Sequence, residues 1–125
     1  AIIADGFYEW KKTPSGKEPH RFILKDRTLF AMAGLWSVVK NPDGTRSSTG
    51  LIVTTAANSL MAPVHDRMPV ILRPDDVMTW LKADSGREDV RRVLAPYPDS
   101  MMDVYKVSPR VSNARFKEPS CVDPV

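Results

Sequence analysis

Two short segments of the chain carry residues that could transfer protons or hold an anion. The first contains Glu9, which lies in the aromatic stretch 7–10 and is followed by Lys11. A carboxyl group shielded from water by aromatic neighbours favours its neutral form and can act as an acid or base near neutral pH. Glu9 is therefore a candidate acid–base residue. The alternative is a solvent-facing glutamate on a half-exposed strand.

The second segment is short and conformationally restricted, because Pro63 and Pro69 flank it. Between these prolines lie His65, Asp66 and Arg67. Histidine changes its protonation state near neutral pH, and the planar fork of an arginine side chain suits a phosphate group. His65 is thus a candidate proton carrier and Arg67 a candidate phosphate ligand. The alternative is a loop histidine whose ring bonds to nearby backbone, with its two neighbours making local bonds.

The elements that must position these residues are short, because 11 prolines interrupt the chain. Residues 7–10 and 21–24 are predicted to form a hairpin across a turn at 13–16. The run 29–39, rich in aromatic and β-branched residues, predicts one further strand. The apolar segment 50–55 predicts a buried strand.

Helices are predicted late in the chain, where apolar residues recur three and four positions apart. The regions 77–81 and 90–94 have this spacing, and one or two helical turns are expected at 56–62. A last strand is predicted at 102–107, and residues 110–125 are expected to form an ordered surface tail. Because strands outnumber helices and the helices cluster late, the predicted fold class is α+β.

Length and composition fit one small domain of 125 residues with a net charge of +3. This charge permits an anionic partner without requiring one. The single cysteine, Cys121, excludes an internal disulfide, and with only two histidines beside it no structural zinc site is expected. No apolar run reaches the roughly 20 residues that a membrane helix needs. Trp36 and Trp80 lie in apolar sequence and are expected in the core.

Five segments in series resemble the SOS response-associated peptidase family. In chain order they are residues 5–10, 32–36, 54–58, 65–69 and the tail from 107 to 125. Each segment alone is a weak signal, but together and in order they cover almost the whole chain. The resemblance implies a mixed, mainly antiparallel β-sheet or open barrel-like core with a few short helices.

This resemblance implies a function on damaged DNA. It implies a sensor of abasic sites that forms a thiazolidine crosslink through the amine and thiol of an N-terminal cysteine, which is exposed when the initiator methionine is removed. Position by position, the implied catalytic residues are Glu9, for sugar ring opening and imine formation, and His65, for proton transfer and reversal. The implied DNA-binding residues are Trp10, Lys11, Thr54, Arg67 and Met68.

The implied partner is single-stranded DNA with abasic sites, and no cofactor, metal or membrane is expected. Trp10 would pack near the abasic gap, and Arg67 with Thr54 would hold backbone phosphates. We expect a monomer, in the cytoplasm of a bacterium and associated with the nucleoid.

The sequence also departs from the family at its most reactive positions. The nucleophilic cysteine and a catalytic asparagine have no counterpart, since Cys121 and Asn113 both match the family's tail. Residues 1–125 are therefore expected to be the C-terminal portion of a single domain, truncated before the apolar start at 1–4. A non-catalytic module that binds single-stranded DNA and an inactive remnant are the open alternatives. General proteolysis is least favoured, because no Ser-His-Asp or Cys-His arrangement is recognisable.

Overall fold

The computed structural model describes all 125 residues as short strands joined by turns, with two short α-helices. The strands are β1 (Ile2–Ala4), β2 (Phe7–Thr13), β3 (Gly16–Leu24), β4 (Phe30–Met32), β5 (Gly34–Lys40), β6 (Arg46–Ile52), β7 (Thr54–Ala56), β8 (Arg67–Pro69), β9 (Ile71–Leu72) and β10 (Met102–Lys106). The helices are α1 (Val77–Leu81) and α2 (Arg87–Val93), with 3₁₀ turns at Pro74–Asp76, Asp99–Met101, Pro109–Ser112 and Pro119–Val122. Neither α-helix has the length and apolar character that a membrane crossing needs.

All strand pairs are antiparallel and form four small sheets. Their strand orders are β1-β4-β9, β10-β3-β2, β5-β6 and β7-β8. The α+β class predicted from the sequence is confirmed, with few short helices and no closed barrel. The two helices also form where the apolar spacing and the prolines predict them.

Three single-residue strand breaks meet at one point of the fold. Ala33 separates β4 from β5, Val53 separates β6 from β7, and Val70 separates β8 from β9. Ala33 N–H donates to the Val70 carbonyl, Val70 N–H to the Val53 carbonyl, and Val53 N–H to the Ala33 carbonyl, each at 2.9 Å. This ring of three hydrogen bonds satisfies backbone groups that the breaks would leave unpaired, and it joins three of the four sheets.

The strand predicted at 29–39 is wrong as a single element, because the chain changes sheets at Ala33. The buried strand predicted at 50–55 is also wrong: it divides at Val53, and Leu51 is 55% exposed. Trp36, expected in the core, is 77% exposed. These residues lie on or beside the hairpin of β5 and β6, which pairs with no third strand. An apolar sequence predicts burial, but it does not supply the layer that would cover the hairpin.

The main core lies between the β10-β3-β2 sheet, the β1-β4-β9 sheet and the segment after β7. Phe7 of β2 stacks on Phe22 of β3 with ring centroids 5.2 Å apart. The buried members of this core are Phe22, Leu24, Phe30, Met32, Met61, Met68, Ile71, Tyr97 and Met102. Burial of these side chains holds β2, which carries Glu9, against the segment that leads to His65.

Candidate functional site

Strand β2 divides the candidate residues between its two faces, because side chains alternate along a strand. Glu9 and Lys11 share the face of Phe7, whereas Trp10 lies on the opposite face. Glu9 is half-buried, and its carboxylate accepts a hydrogen bond of 3.1 Å from the Trp10 backbone N–H. This half-buried position agrees with both interpretations of the sequence, a shielded carboxyl group and a glutamate on a half-exposed strand.

The C-terminal tail holds the opposite face of β2. The Trp10 indole Nε1–H donates to Ser112 Oγ at 2.9 Å, and the Tyr8 hydroxyl donates to the Cys121 carbonyl at 3.0 Å. Burial raises the pKa of the Tyr8 hydroxyl, although the positive charge of nearby Arg21 opposes the rise. The tail is therefore an ordered surface segment, as predicted, and it restrains the Trp10 ring.

The segment that carries His65 is anchored to the main core. Met61 is fully buried in the core, and the His65 N–H donates to its carbonyl at 3.0 Å. The Asn58 side chain accepts from the Met61 N–H at 2.9 Å and donates to the Tyr97 carbonyl at 2.8 Å. One turn of the kind predicted at 56–62 is present, because the Ala62 N–H donates to the Asn58 carbonyl four residues earlier at 2.9 Å. It does not extend into a regular helix, and β7 occupies the start of the predicted range.

The imidazole ring of His65 is held by one nitrogen and exposed at the other. Its Nδ1 lies 3.0 Å from the Arg67 backbone nitrogen, 3.2 Å from the Arg67 carbonyl oxygen and 3.2 Å from Asp66 Oδ1. Its Nε2 has no protein partner, and the side chain is 43% exposed. The backbone contact that the sequence leaves open as an alternative is present, and Nε2 is nevertheless available to a ligand.

Arg67 and Thr54, both predicted to hold phosphates, lie together on the paired strands β7 and β8. Arg67 Nη2 donates to the Thr54 carbonyl at 2.7 Å and to Thr54 Oγ1 at 3.1 Å, and Nε donates to the same hydroxyl at 3.3 Å. Nη1 makes no contact to a protein acceptor. The guanidinium is thus held in one orientation on the surface, and the N–H groups of Nη1 are free to donate to an anion.

Met68, predicted to contact DNA, faces inwards. It is 1% exposed and packs in the main core. Its side chain follows that of Arg67 on β8 and points to the other face of the strand. Met68 therefore fixes β8 to the core and offers no surface to a ligand.

An open groove brings several of the candidates together. It has a volume of about 340 Å³ and is lined by Trp10, Lys11 and Lys12 on β2 and by the segment 62–66, which includes His65. Glu9 lies on the same strand face as Lys11 but does not line the groove, and Arg67 follows directly after the groove wall. The groove therefore brings two lysines, a histidine and a tryptophan residue together.

Sequence reasoning missed three residues that the fold brings into this region. Lys12 lines the groove, Asn58 fixes the turns below His65, and His20 is buried in β3 directly opposite Glu9. Asn58 follows a strand as a turn-forming residue, and that position is a usable signal. The place of His20 depends on strand register, which the sequence pattern leaves open. No group of three or more histidine, cysteine, aspartate or glutamate side chains is arranged to hold a metal ion.

Several named proteins are similar in sequence to almost the whole of this chain. The abasic site processing protein YoqW of Bacillus subtilis is 40% identical over 124 residues, which are 98% of this chain and 55% of that protein. The abasic site processing protein YedK of Escherichia coli is 28% identical over 98% of this chain and 56% of its own length. The abasic site processing protein HMCES of Xenopus tropicalis is 29% identical over 97% of this chain and 42% of its own length. The chain thus spans about half the length of these bacterial relatives.

Solved structures and a family model agree with these relatives. A crystal structure of a protein from Bacteroides thetaiotaomicron superposes with a TM-score of 0.91 at 26% identity, over 99% of this chain and 55% of that one. A second, from Bordetella bronchiseptica, has a TM-score of 0.76 at 30% identity over 86% of this chain and 53% of that one. Residues 1–114 match the model described as SOS response associated peptidase (SRAP), and the chain therefore belongs to this family.

Proposed function

We propose that this chain binds abasic sites in single-stranded DNA and supplies acid–base residues for their covalent capture, in the response to DNA damage. The proposal assigns residues 1–125 to the C-terminal portion of a single domain. It is supported by the relatives, which are named abasic site processing proteins. The observation that carries it is the groove in which His65, Lys11 and Trp10 meet beside the oriented Arg67.

The cations beside the groove are suited to a single strand of DNA. Lys11 and Lys12 line the groove, and neither forms an ion pair with an acidic side chain. Arg67 keeps Nη1 free while Thr54 holds the rest of its guanidinium. When lysine or arginine side chains bind phosphates, they displace the cations condensed on the DNA. The affinity for DNA therefore falls strongly as the salt concentration rises. Trp10 adds an aromatic surface near the position of the missing base.

Two proton carriers serve the chemistry of an abasic sugar in this proposal. Opening of the sugar ring removes a proton from the hydroxyl on C1′ and returns one to the ring oxygen, which leaves an aldehyde. Attack of an amine on that aldehyde then gives an imine by loss of water, and the departing oxygen needs a proton. The Glu9 carboxylate would accept the proton of the C1′ hydroxyl and return it to the ring oxygen, and His65 Nε2 would donate the proton that the departing oxygen needs to leave as water.

The nucleophile of a thiazolidine crosslink must be found elsewhere than Cys121. A thiazolidine needs a free α-amine and a thiol on one residue. The nitrogen of Cys121 is part of a peptide bond, and its Sγ–H donates to the Phe116 carbonyl at 3.5 Å in the tail. In this proposal the present chain therefore recognises and prepares the abasic site. We propose that it does so as a monomer, in the bacterial cytoplasm and near the nucleoid.

The test is binding of the 125-residue chain to three fluorescein-labelled DNAs of one sequence: single-stranded with one abasic site, single-stranded without, and duplex. Fluorescence anisotropy is expected to show tightest binding to the abasic strand, with affinity that falls as salt rises. The same samples with borohydride report any imine, formed by Ala1 or a lysine, as a shifted band on a denaturing gel. Affinity that is equal for all three DNAs, or independent of salt, contradicts the proposal.

A non-catalytic module for single-stranded DNA is the second candidate, favoured by the position of Cys121 in the tail. It predicts salt-dependent binding with equal affinity for the intact and the abasic strand, and no band with or without borohydride. The comparison of the two single strands therefore separates the two functions.

A further inference from the structure

The tail from residue 107 to 125 is bound to the face of the β10-β3-β2 sheet that points away from the main core. Two tyrosine hydroxyls on that face donate to consecutive carbonyls near the end of the tail. Tyr8 on β2 donates to the Cys121 carbonyl at 3.0 Å, and Tyr105 on β10 donates to the Val122 carbonyl at 2.9 Å. The end of the tail is thus held at two neighbouring points of its backbone.

The beginning of the tail is held to the same sheet. The Val107 N–H donates to the Pro19 carbonyl of β3 at 3.2 Å. The 3₁₀ turn at Pro109–Ser112 follows directly and packs against β3. Ser112 therefore lies in a short, regular turn between two anchored ends of the tail.

From this turn, the Ser112 side chain reaches the indole ring of Trp10. The Trp10 Nε1–H donates to Ser112 Oγ at 2.9 Å. The ring also lies beside that of Tyr8, with centroids 6.3 Å apart and planes inclined at 55°, a separation at which aromatic rings attract each other. The tail therefore holds the N–H edge of the indole, and it also holds the tyrosine beside it.

The indole ring that the tail holds is also part of the groove wall beside His65 and Lys11. A side chain that is fixed before a ligand arrives loses less entropy when the ligand binds. A ligand that pushes the ring aside must break the bond to Ser112, which leaves an N–H donor without its partner. The tail thus controls how readily the groove changes its shape at Trp10.

We propose that Ser112 is the positioning residue for Trp10, and that the tail thereby sets the preference of the groove for a DNA strand that lacks a base. This role rests on the proposed function, in which Trp10 lies near the abasic gap. A ring held in the groove fills the space of a missing base, whereas an intact base has to displace the ring and break its hydrogen bond. Selectivity of this kind comes from a cost imposed on the wrong ligand.

The indole N–H signals in the NMR spectrum of the 125-residue chain test the contact without DNA, because the chain has three tryptophans. The signals are assigned with Trp10→Phe and Trp36→Phe. In Ser112→Ala, the Trp10 Nε1–H is expected to exchange with water at least about 3-fold faster, and its heteronuclear NOE is expected to fall, since it loses its acceptor. Trp80, whose Nε1–H donates to the Gly34 carbonyl at 3.2 Å, and Trp36, which is 77% exposed, are the bonded and exposed references, and their signals are expected to stay unchanged.

Two further variants separate the hydrogen bond from the fold of the tail. Ser112→Thr keeps the hydroxyl and is expected to restore slow exchange of the Trp10 N–H. Ser120→Ala removes a hydroxyl of the same tail that is not bonded to Trp10, and it is expected to leave the exchange rate at the wild-type value. An unchanged exchange rate in Ser112→Ala, with a native amide spectrum, overturns the proposal.

Fluorescence anisotropy with the abasic and the intact single strand tests the consequence for recognition. Ser112→Ala is expected to lower the ratio of the two affinities about 3–5-fold, the effect of losing one hydrogen bond that holds the ring. Ser112→Thr and Ser120→Ala are expected to keep the wild-type ratio. A loss of affinity by the same factor for both strands shows a merely structural role and overturns the proposal, as does an unchanged ratio.

The variant Trp10→Phe shows whether Ser112 acts through the indole. Phenylalanine has no N–H group, so adding Ser112→Ala to this variant is expected to cause no further change in the ratio of affinities. A Ser112→Ala effect that persists without the indole overturns the proposal. A wild type that does not prefer the abasic strand contradicts the proposed function and with it the role in recognition, and the exchange rates alone then decide whether Ser112 fixes the ring.

Discussion

Arg67 and His65 are neighbours along the chain whose side chains are held by different means. The Arg67 side chain reaches across a strand pair to Thr54, whereas His65 bonds to the backbone two residues ahead. Each keeps one nitrogen, Nη1 or Nε2, without a protein partner. Fixing a side chain in advance reduces the entropy that it loses when a ligand binds.

Substitution of Arg67 tests this arrangement at the scale of a residue. Arg67→Ala is expected to weaken binding to abasic single-stranded DNA about 5–10-fold and to reduce the slope of log affinity against log salt by about one, since one phosphate contact is lost. Arg67→Lys keeps the charge but not the planar fork, so we expect an intermediate affinity with the wild-type slope. Anisotropy at four salt concentrations measures both quantities.

Arg46→Ala is the matched control, because Arg46 lies at the far end of the exposed hairpin of β5 and β6. Its affinity and salt slope are expected to match the wild type. If Arg67→Ala also behaves as the wild type does, Arg67 is not part of the interface.

At the scale of the element, the hairpin of β2 and β3 carries Glu9, Lys11 and His20 and depends on its turn. Thr13 and Gly16 are the last paired residues before the turn, and the Thr13 hydroxyl donates to the Gly16 carbonyl at 3.0 Å. Gly16 has a φ of +131°, a conformation that side chains rarely adopt. The register that places His20 beside Glu9 begins at this glycine.

Gly16→Ala is therefore expected to destabilise the protein by about 1–3 kcal/mol through backbone strain alone, although the space around it is open. Thermal unfolding is expected to show a Tm lower by several degrees. Gly50→Ala, on the exposed β6, is the control: its added Cβ would meet only the Leu35 carbonyl at 3.8 Å, an ordinary contact. Equal Tm values for the two variants would mean that the turn conformation does not limit stability.

At the scale of the whole molecule, the hairpin of β5 and β6 exposes large apolar side chains outside the core. Six large apolar side chains of the hairpin formed by β5 and β6 are exposed: Leu35, Trp36, Val38, Val39, Leu51 and Ile52. Strand alternation puts Leu35, Val39 and Leu51 on one face of the hairpin and Trp36, Val38 and Ile52 on the other, so both faces expose apolar side chains. The hairpin is joined to the remaining sheets through the hydrogen-bonded ring at Ala33, Val53 and Val70.

Removal of two of these side chains tests the exposed surface. The double substitution Leu35→Ser and Leu51→Ser is expected to reduce the fluorescence of the dye ANS bound to the native chain, because these two residues are directly opposed on one face of the hairpin. Leu29→Ser removes a leucine outside the hairpin that is 67% exposed, against 54% for Leu35 and 55% for Leu51, and is expected to have a smaller effect. Equal losses in the two variants would show that the hairpin is not the main apolar surface.

The local sequence pattern was sufficient to predict the β2–β3 hairpin and the two helices. Alternating aromatic residues and the turn at 13–16 predict the β2–β3 hairpin, and prolines with apolar spacing predict both helices, because these signals act through neighbours in the chain. The ordered motifs also identified the family, which the comparisons confirm. The roles of Glu9, His65, Trp10, Lys11, Thr54 and Arg67 remain predictions.

Tertiary structure alone decided which of these residues meet and which are covered. Met68, implied by the family resemblance to bind DNA, is buried, and Trp36, expected in the core from its apolar sequence, is exposed. The opposition of His20 and Glu9 follows from strand register, and a slip of one residue would turn His20 to the other face. Alternation along a strand specifies two faces, and only the packing of distant segments specifies what lies against each face.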